Sequence, residues 1–303
     1  MSDTLKGICL KVGAVSLFTA LMAIIKATSD DVPPGQAVFF RSVFALPVLF
    51  VWLWFHGQLR EGLKTQRPLG HVMRGLAGTA SMSLRFFCLG VLAFPDVTAL
   101  GFTTPLVLTV LAALFLGETV RAFRISMVCL GFAGVLVILW DQISGAPRAG
   151  IEVLATGLML ISAALAAFAQ MFVRKLVDTE NPAAIVFYFM MTTCVLSLLT
   201  IPFGWTRPDG QVIALLVLAG LIGGVGQIMV TLAYRHAPAS IIAPFDYSAM
   251  LLAVAIGYVW FNEVPTWSVV AGATLIIASG VLIIWRERRL GMQNKRVLTG
   301  SSR

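Results

Sequence analysis

Polar residues along this chain are confined to short connections. Between them run continuous apolar segments of roughly 20 residues, the length that crosses about 30 Å of hydrocarbon as an α-helix. Ten such spans are predicted, at 7–26, 35–55, 71–92, 97–117, 123–140, 152–173, 183–203, 211–233, 240–261 and 266–285. A transmembrane β-barrel would alternate apolar and polar positions with a period of two, and these runs do not. The first span starts a few residues after Met1 with no small-residue cleavage site, which predicts a retained helix rather than a removed signal peptide. The pattern therefore predicts an all-α integral membrane protein of ten transmembrane helices.

Composition agrees: 58% of residues are hydrophobic, 12% are charged and the mean hydropathy is +0.91. A soluble domain carries about a quarter charged residues. The net charge of +8 would suit nucleic acid only if the basic residues shared one soluble face. They alternate between connections instead. One set holds Lys6, Lys11, Arg60, Lys64, Arg67, Arg74, Arg121, Arg124, Arg174, Lys175, Arg235 and the basic residues from Arg286 to Arg303. The other carries Asp30, Asp31, Asp96, Asp141 and Asp209. Positive-inside bias predicts both termini in the cytoplasm, and the expected location is a bacterial inner membrane. The bilayer is then a partner and nucleic acid is not. Cys9, Cys88, Cys129 and Cys194 fall singly in apolar spans and read as packing residues.

The chain also resembles itself. Sliding it by 145 positions, the separation of Glu118 and Glu263, superimposes Gly75 on Gly220, Gly78 on Gly223, Leu130 on Leu275 and Trp140 on Trp285. Residues 1–145 and 146–290 read as two copies of five spans, followed by a short basic cytoplasmic tail, 291–303, outside regular structure. An odd number of spans per copy makes the second copy enter from the opposite side, an inverted repeat. Secondary transporters are built this way because two pseudo-equivalent halves can exchange conformations around one central site.

The stretch Asp96-Val-Thr-Ala-Leu-Gly-Phe-Thr-Thr-Pro105, followed by Leu114-Phe-Leu-Gly-Glu118, resembles the fourth-span pattern of the drug/metabolite transporter superfamily, in its EamA branch with two repeats. Ala243-Pro-Phe-Asp-Tyr247 and Phe261-Asn-Glu263 are similar to the ninth-span pattern, and Lys26, Phe40-Arg41, Gly131 and Gly134 also fit. The resemblance implies ten spans as two inverted five-helix EamA repeats and secondary transport of a small organic metabolite by alternating access. Arg74-Gly75-Leu76 and Ala99-Leu100-Gly101-Phe102 look most like importers of heteroaromatic metabolites such as riboflavin or S-adenosylmethionine. Exporters of amino acids or drugs from the same superfamily are the alternative, since a fold does not choose a substrate.

Charge within a bilayer costs at least about 2.5 kcal/mol at a helix centre, so each intramembrane ionisable residue is a candidate. Arg41, Arg85 and Asp246 qualify, the arginines to hold a carboxylate, phosphate or ring and Asp246 to balance them or bind a proton. Their neighbours Phe86, Phe87, Phe102, Thr103 and Tyr247 could stack on or bond a flat solute, and Gln227 follows the glycine run Gly220, Gly223, Gly224 and Gly226. Lys26, Glu118 and Glu263 at span ends and Pro105 and Pro244 within spans read as gating or structural residues. No HExxH, GxSxG or P-loop motif is present, so neither an enzyme nor an ATP-driven pump is expected, and no cofactor or metal. No pore loop or charged ring suggests a channel. A homodimer is compatible with the sequence.

Overall fold

The computed structural model describes residues 3–57, 59, 62–116, 122–144, 150–177, 179–237 and 242–300, and among these there are helices but no strands. In chain order they are α1 (Asp3–Ala27), α2 (Pro34–Val43), α3 (Ala45–Phe55), α4 (Pro68–Val91), α5 (Phe94–Gly101), α6 (Thr103–Leu116), α7 (Ala122–Ser144), α8 (Gly150–Val177), α9 (Pro182–Leu198), α10 (Gly210–His236), α11 (Ser248–Phe261) and α12 (Trp267–Gly300). Short 3-10 turns at Ile201–Phe203 and Ala243–Tyr247 close α9 and open α11. Six segments, Asp3–Ala27, Pro34–Phe55, Phe94–Leu111, Gly150–Val173, Gly210–Ala233 and Trp267–Arg286, are long and apolar enough to cross a membrane. Ile125–Trp140, Pro182–Leu198 and Phe245–Phe261 are apolar but shorter. The remaining predicted span, 71–92, falls on α4, which carries Arg74 and Arg85. The tail expected to be irregular after Trp285 is helical through Gly300, in keeping with its run of Arg, Leu, Met, Gln and Lys, all good helix formers.

Three predicted spans are broken, and prolines place the breaks. A proline ring clashes with the carbonyl four residues back and removes one helical hydrogen bond. Pro47 and Pro105 therefore disturb the ladder near residues 43 and 101, and the helices divide at Phe44 and Phe102. Pro244 sits inside the 3-10 turn that precedes α11. The turns at Phe102 and Tyr247 lie 145 positions apart, and their rings meet edge to face with centroids 5.2 Å apart. Tyr247 is buried with Leu21, Phe86, Leu100 and Ile276 in the main core cluster.

Helix pairing repeats with the halves exchanged. α1 packs along α10 as α4 does along α8, and α2–α3 pack on α10 as α9 does on α4. α2 and α9, α5 and α11, and α7 and α12 pair with their own counterparts. Individual contacts follow the same 145-residue shift. The Thr79 and Thr193 hydroxyls bond at 2.9 Å, and at the equivalent place Gly224 faces Val48. Ser81 bonds the Ser162 carbonyl at 2.8 Å, where the other copy sets Gly226 against Leu17. Gly131 faces Ser279 and Gly134 faces Ile276, so α7 and α12 run antiparallel. Lys11 pairs with Asp246 and Lys26 with Glu263, so α1 runs parallel to residues 243–261.

Candidate substrate-binding site

Where α2, α4 and α9 meet, two arginines converge on one ring. Arg41 of α2 and Arg74 of α4 place their guanidinium carbons 5.9 Å and 4.0 Å from the centroid of Phe189 on α9. Close approach of the helices makes this possible. Gly78 faces the Phe189 ring, and a Cβ there would lie 2.7 Å from it. Gly223 of α10 faces Leu21 and the Arg41 Nε, so the predicted glycine run is a packing surface that also borders the arginine. Arg41 is 6% exposed and Arg74 9%. Among the described residues neither pairs with a carboxylate, and Arg41 Nη1 and Arg74 Nε have no hydrogen-bond partner.

Arg85 lies eleven residues beyond Arg74 on α4, on the same stripe as Gly78 and Ser81. Its guanidinium rests against Gly101, at the turn between α5 and α6, beside Met159 of α8. Thr103 and Thr104 follow that turn, buried, with hydroxyls that have no partner among the described residues. Thr103 also lines an apolar cavity of about 430 Å³ with Val107, Phe132, Val135, Leu136 and Leu160. Exposed Leu136 and Phe132 open that cavity toward the outside of the bundle, so its volume is a groove in the apolar surface, away from the arginine pair. Phe86 is fully buried and Phe87 packs against the same cluster, so both are core side chains here. Gln227 is half-buried, and its carbonyl accepts from the Thr231 hydroxyl.

Asp246 meets Lys11 at 2.7 Å, with side chains 45% and 4% exposed. Lys26 is the hub of a second cluster. Its Nζ lies 2.9 Å from Glu263 and donates to the Leu89 and Leu92 carbonyls at 3.1 and 2.7 Å. The other Glu263 oxygen accepts from the Phe94 amide at 2.7 Å. The first helix is thus tied to the end of α4, the start of α5 and the end of α11. Pro105 stands in the first turn of α6. Glu118 and the Pro244 side chain lie outside the described residues.

A third polar cluster joins the α3–α4 and α8–α9 connections. Buried Glu180 accepts from the Thr65 hydroxyl at 3.2 Å and the Gln66 and Arg67 amides at 2.8 and 2.9 Å, with His71 Nε2 at 3.6 Å. Burial favours its neutral acid, but the bonds from Gln66, Thr65 and Arg67 and the neighbouring His71 together hold the carboxyl below its usual range.

Of the three charges that the sequence singles out, Arg41 lies with Arg74 over Phe189, while Arg85 rests against Gly101 and Asp246 pairs with Lys11. In the sequence Lys11 reads only as an inside charge and Arg74 as an inside charge and part of the Arg74-Gly75-Leu76 pattern, while nothing there singles out Phe189 or Glu180. The stripe 74, 78, 81, 85 was a usable signal for Arg74, because it puts that residue on the face that bears Arg85.

The profile of the EamA-like transporter family matches this chain twice, over residues 5–140 and 154–285. The S-adenosylmethionine uptake transporter of Rickettsia felis is 28% identical over 89% of this chain and 92% of its own length. The riboflavin transporter of Rhizobium johnstonii is 30% identical, covering 85% and 83%. The pseudopaline exporter of Pseudomonas aeruginosa is 28% identical, covering 93% and 97%. A protein crystal structure with 20% sequence identity superimposes with a TM-score of 0.66 over 94% of this chain and 98% of that one, a likeness of fold. The chain is a multi-pass membrane protein and belongs to the EamA-like transporter family.

Proposed function

We propose that this transporter carries a small heteroaromatic metabolite, of the kind that riboflavin and S-adenosylmethionine exemplify, by alternating access through a central chamber around Arg41, Arg74 and Phe189. The observation that carries this reading is the pair of buried arginines on one aromatic ring, neither paired with a carboxylate among the described residues. Charge there is retained at a cost of several kcal/mol and so marks a solute path. The chamber lies where two five-helix copies, 1–145 and 146–290, approach each other. On this reading the ten helical segments all cross the bacterial inner membrane, the copies are inverted, and both termini are cytoplasmic. The parallel course of α1 and residues 243–261 supports inversion, because the counterpart of the ninth segment is the fourth, which runs against the first when connections are short.

Export of an amino-acid-like metabolite is a second reading, favoured by similarity to the pseudopaline exporter over almost the whole chain. One assay addresses both. Purified protein in liposomes is offered labelled vitamins, nucleosides and amino acids, with uptake and counterflow measured for the wild type, Arg41→Ala and Arg74→Ala. Saturable uptake of at least one solute, lost in both variants, is expected. Normal uptake in both variants would remove the chamber from the path. Labelling cysteines placed at 118 and 263 from each side of the membrane checks inversion, with opposite sides expected.

A further inference from the structure

Three arginines within the predicted spans have no charged counterpart in the other copy. Arg41, Arg74 and Arg85 correspond, 145 positions on, to Val186, Ala219 and Val230. The packing of α4 on α8 and on α9 is repeated by α10 on α1 and on α2–α3 with apolar side chains at those positions, whereas the α2–α4 contact where Arg41 and Arg74 meet has no equally extensive equivalent between α9 and α10. A buried guanidinium is expensive unless a negative group faces it. The carboxylates of the other polar clusters are committed elsewhere: Asp246 to Lys11, Glu263 to Lys26 and the Phe94 amide, and Glu180 to Thr65, Gln66 and Arg67 beside His71. Among the described residues none pairs with Arg41, Arg74 or Arg85, while Arg41 Nη1 and Arg74 Nε keep donors without partners. The Phe189 face, 4.0 Å from the Arg74 guanidinium, fixes the plane of one of these groups.

We propose that the solute is carried as an organic anion, its carboxylate or phosphate oxygens taking the unpartnered donors of Arg41 and Arg74. This rests on the transporter reading above and narrows it: riboflavin is neutral and S-adenosylmethionine has a net positive charge, so the solute is an anionic heteroaromatic metabolite rather than either of these. Two guanidinium groups supply more donors than one carboxylate accepts, so a phosphate monoester or a dicarboxylate fits better than a monocarboxylate. A neutral or cationic solute leaves two buried cations uncompensated. Charge, ahead of ring shape, then sets selectivity.

Matched pairs differing in charge test this on the full chain: riboflavin 5′-phosphate against riboflavin, glutamate against glutamine, and citrate against its triamide. Two readouts are taken, the unfolding midpoint in detergent and competition with a transported label in liposomes. The anion of each pair is expected to bind about tenfold tighter or more, the scale of a charge-assisted hydrogen bond. Arg41→Gln and Arg74→Gln should shrink that preference to about twofold, while Arg41→Lys retains most of it. Equal binding within the wild-type pairs overturns the proposal, as does full anion preference in both glutamine variants or no midpoint shift with any anion. If the glutamine variants fail to fold, the wild-type pairs decide alone. Anion-dependent stabilisation without uptake of any solute would sink the transporter reading and keep the anion site. Uptake with no charge preference would do the reverse.

Discussion

The contact of α1 with residues 243–261 and the contact of α8 with α5 and α6 are the same interface built twice, yet they differ in chemistry. The first holds Lys11 on Asp246 and Lys26 on Glu263. The second has Thr156 and Gly101 in the places of Lys11 and Asp246, and Met171 and Glu118 in those of Lys26 and Glu263. Duplication has kept the backbone pairing and the small-residue contacts but not the charges. The ion pairs therefore tie the first interface in a way that the residues of the second do not repeat. A carrier of this build would work between states of different stability, its shape set by the repeat and its bias by the departures from it.

The interface of α7 with α12 is the symmetric reference for this comparison, and breaking it should have the largest effect. A Cβ on Gly134 would lie 2.6 Å from the Gly272 carbonyl, a backbone atom that cannot step aside. Gly134→Ala should cost about 3 kcal/mol by forcing the helices apart, read as a lower unfolding midpoint in detergent. Removing the carboxylate from the first ion pair with Asp246→Asn should cost about 2 kcal/mol, the half-exposed acid placing it below a fully buried pair. Adding Lys11→Thr, the counterpart residue, should recover more than half of that loss, and no recovery would mean that the pair is not the coupling.

Lys26→Met makes the first interface like the second at its other end. The loss of the Glu263 contact and two carbonyl bonds should cost about 1.5 kcal/mol. Access of a thiol reagent to a cysteine at position 94 should rise with it. The smallest effect is at the Glu180 cluster, which leaves both interfaces intact. Its carboxyl titrates below the usual range when folded, so the ionised form contributes stability above about pH 4.3, and that contribution fades as pH falls toward the folded value. Glu180→Gln should lower the midpoint by about 1 kcal/mol at pH 7, with the gap from wild type closing on acidification. A gap that stays constant with pH would show that ionisation is not the cause.

Most of the fold was legible because its signals are local. Hydropathy located the helical segments among the described residues, though not the continuation of the last helix beyond Trp285, and Pro105 and Pro244, which read as gating or structural residues, lie at or within a few residues of breaks. The site was legible in part. Arg41 and Arg85 stood out as charges in apolar surroundings, whereas Arg74 lay close enough to a connection to read as an inside base. Helix α4 begins at Pro68, three residues before the predicted span, which carries Arg74 a turn deeper. Phe189 is one of 20 phenylalanines, and nothing in its neighbours marks it.

By itself the sequence determined that the chain is helical, that it belongs in lipid and that it consists of two related halves. Each of these follows from residue type and spacing along one dimension. Which charges meet was decided only by the tertiary structure. Lys11 finds Asp246, Lys26 finds Glu263, and Arg41 and Arg74 find Phe189 instead of an acid. These partners are remote in sequence, and side-chain direction, helix rotation and glycine-permitted approach choose among several chemically equivalent pairings that the linear order leaves open.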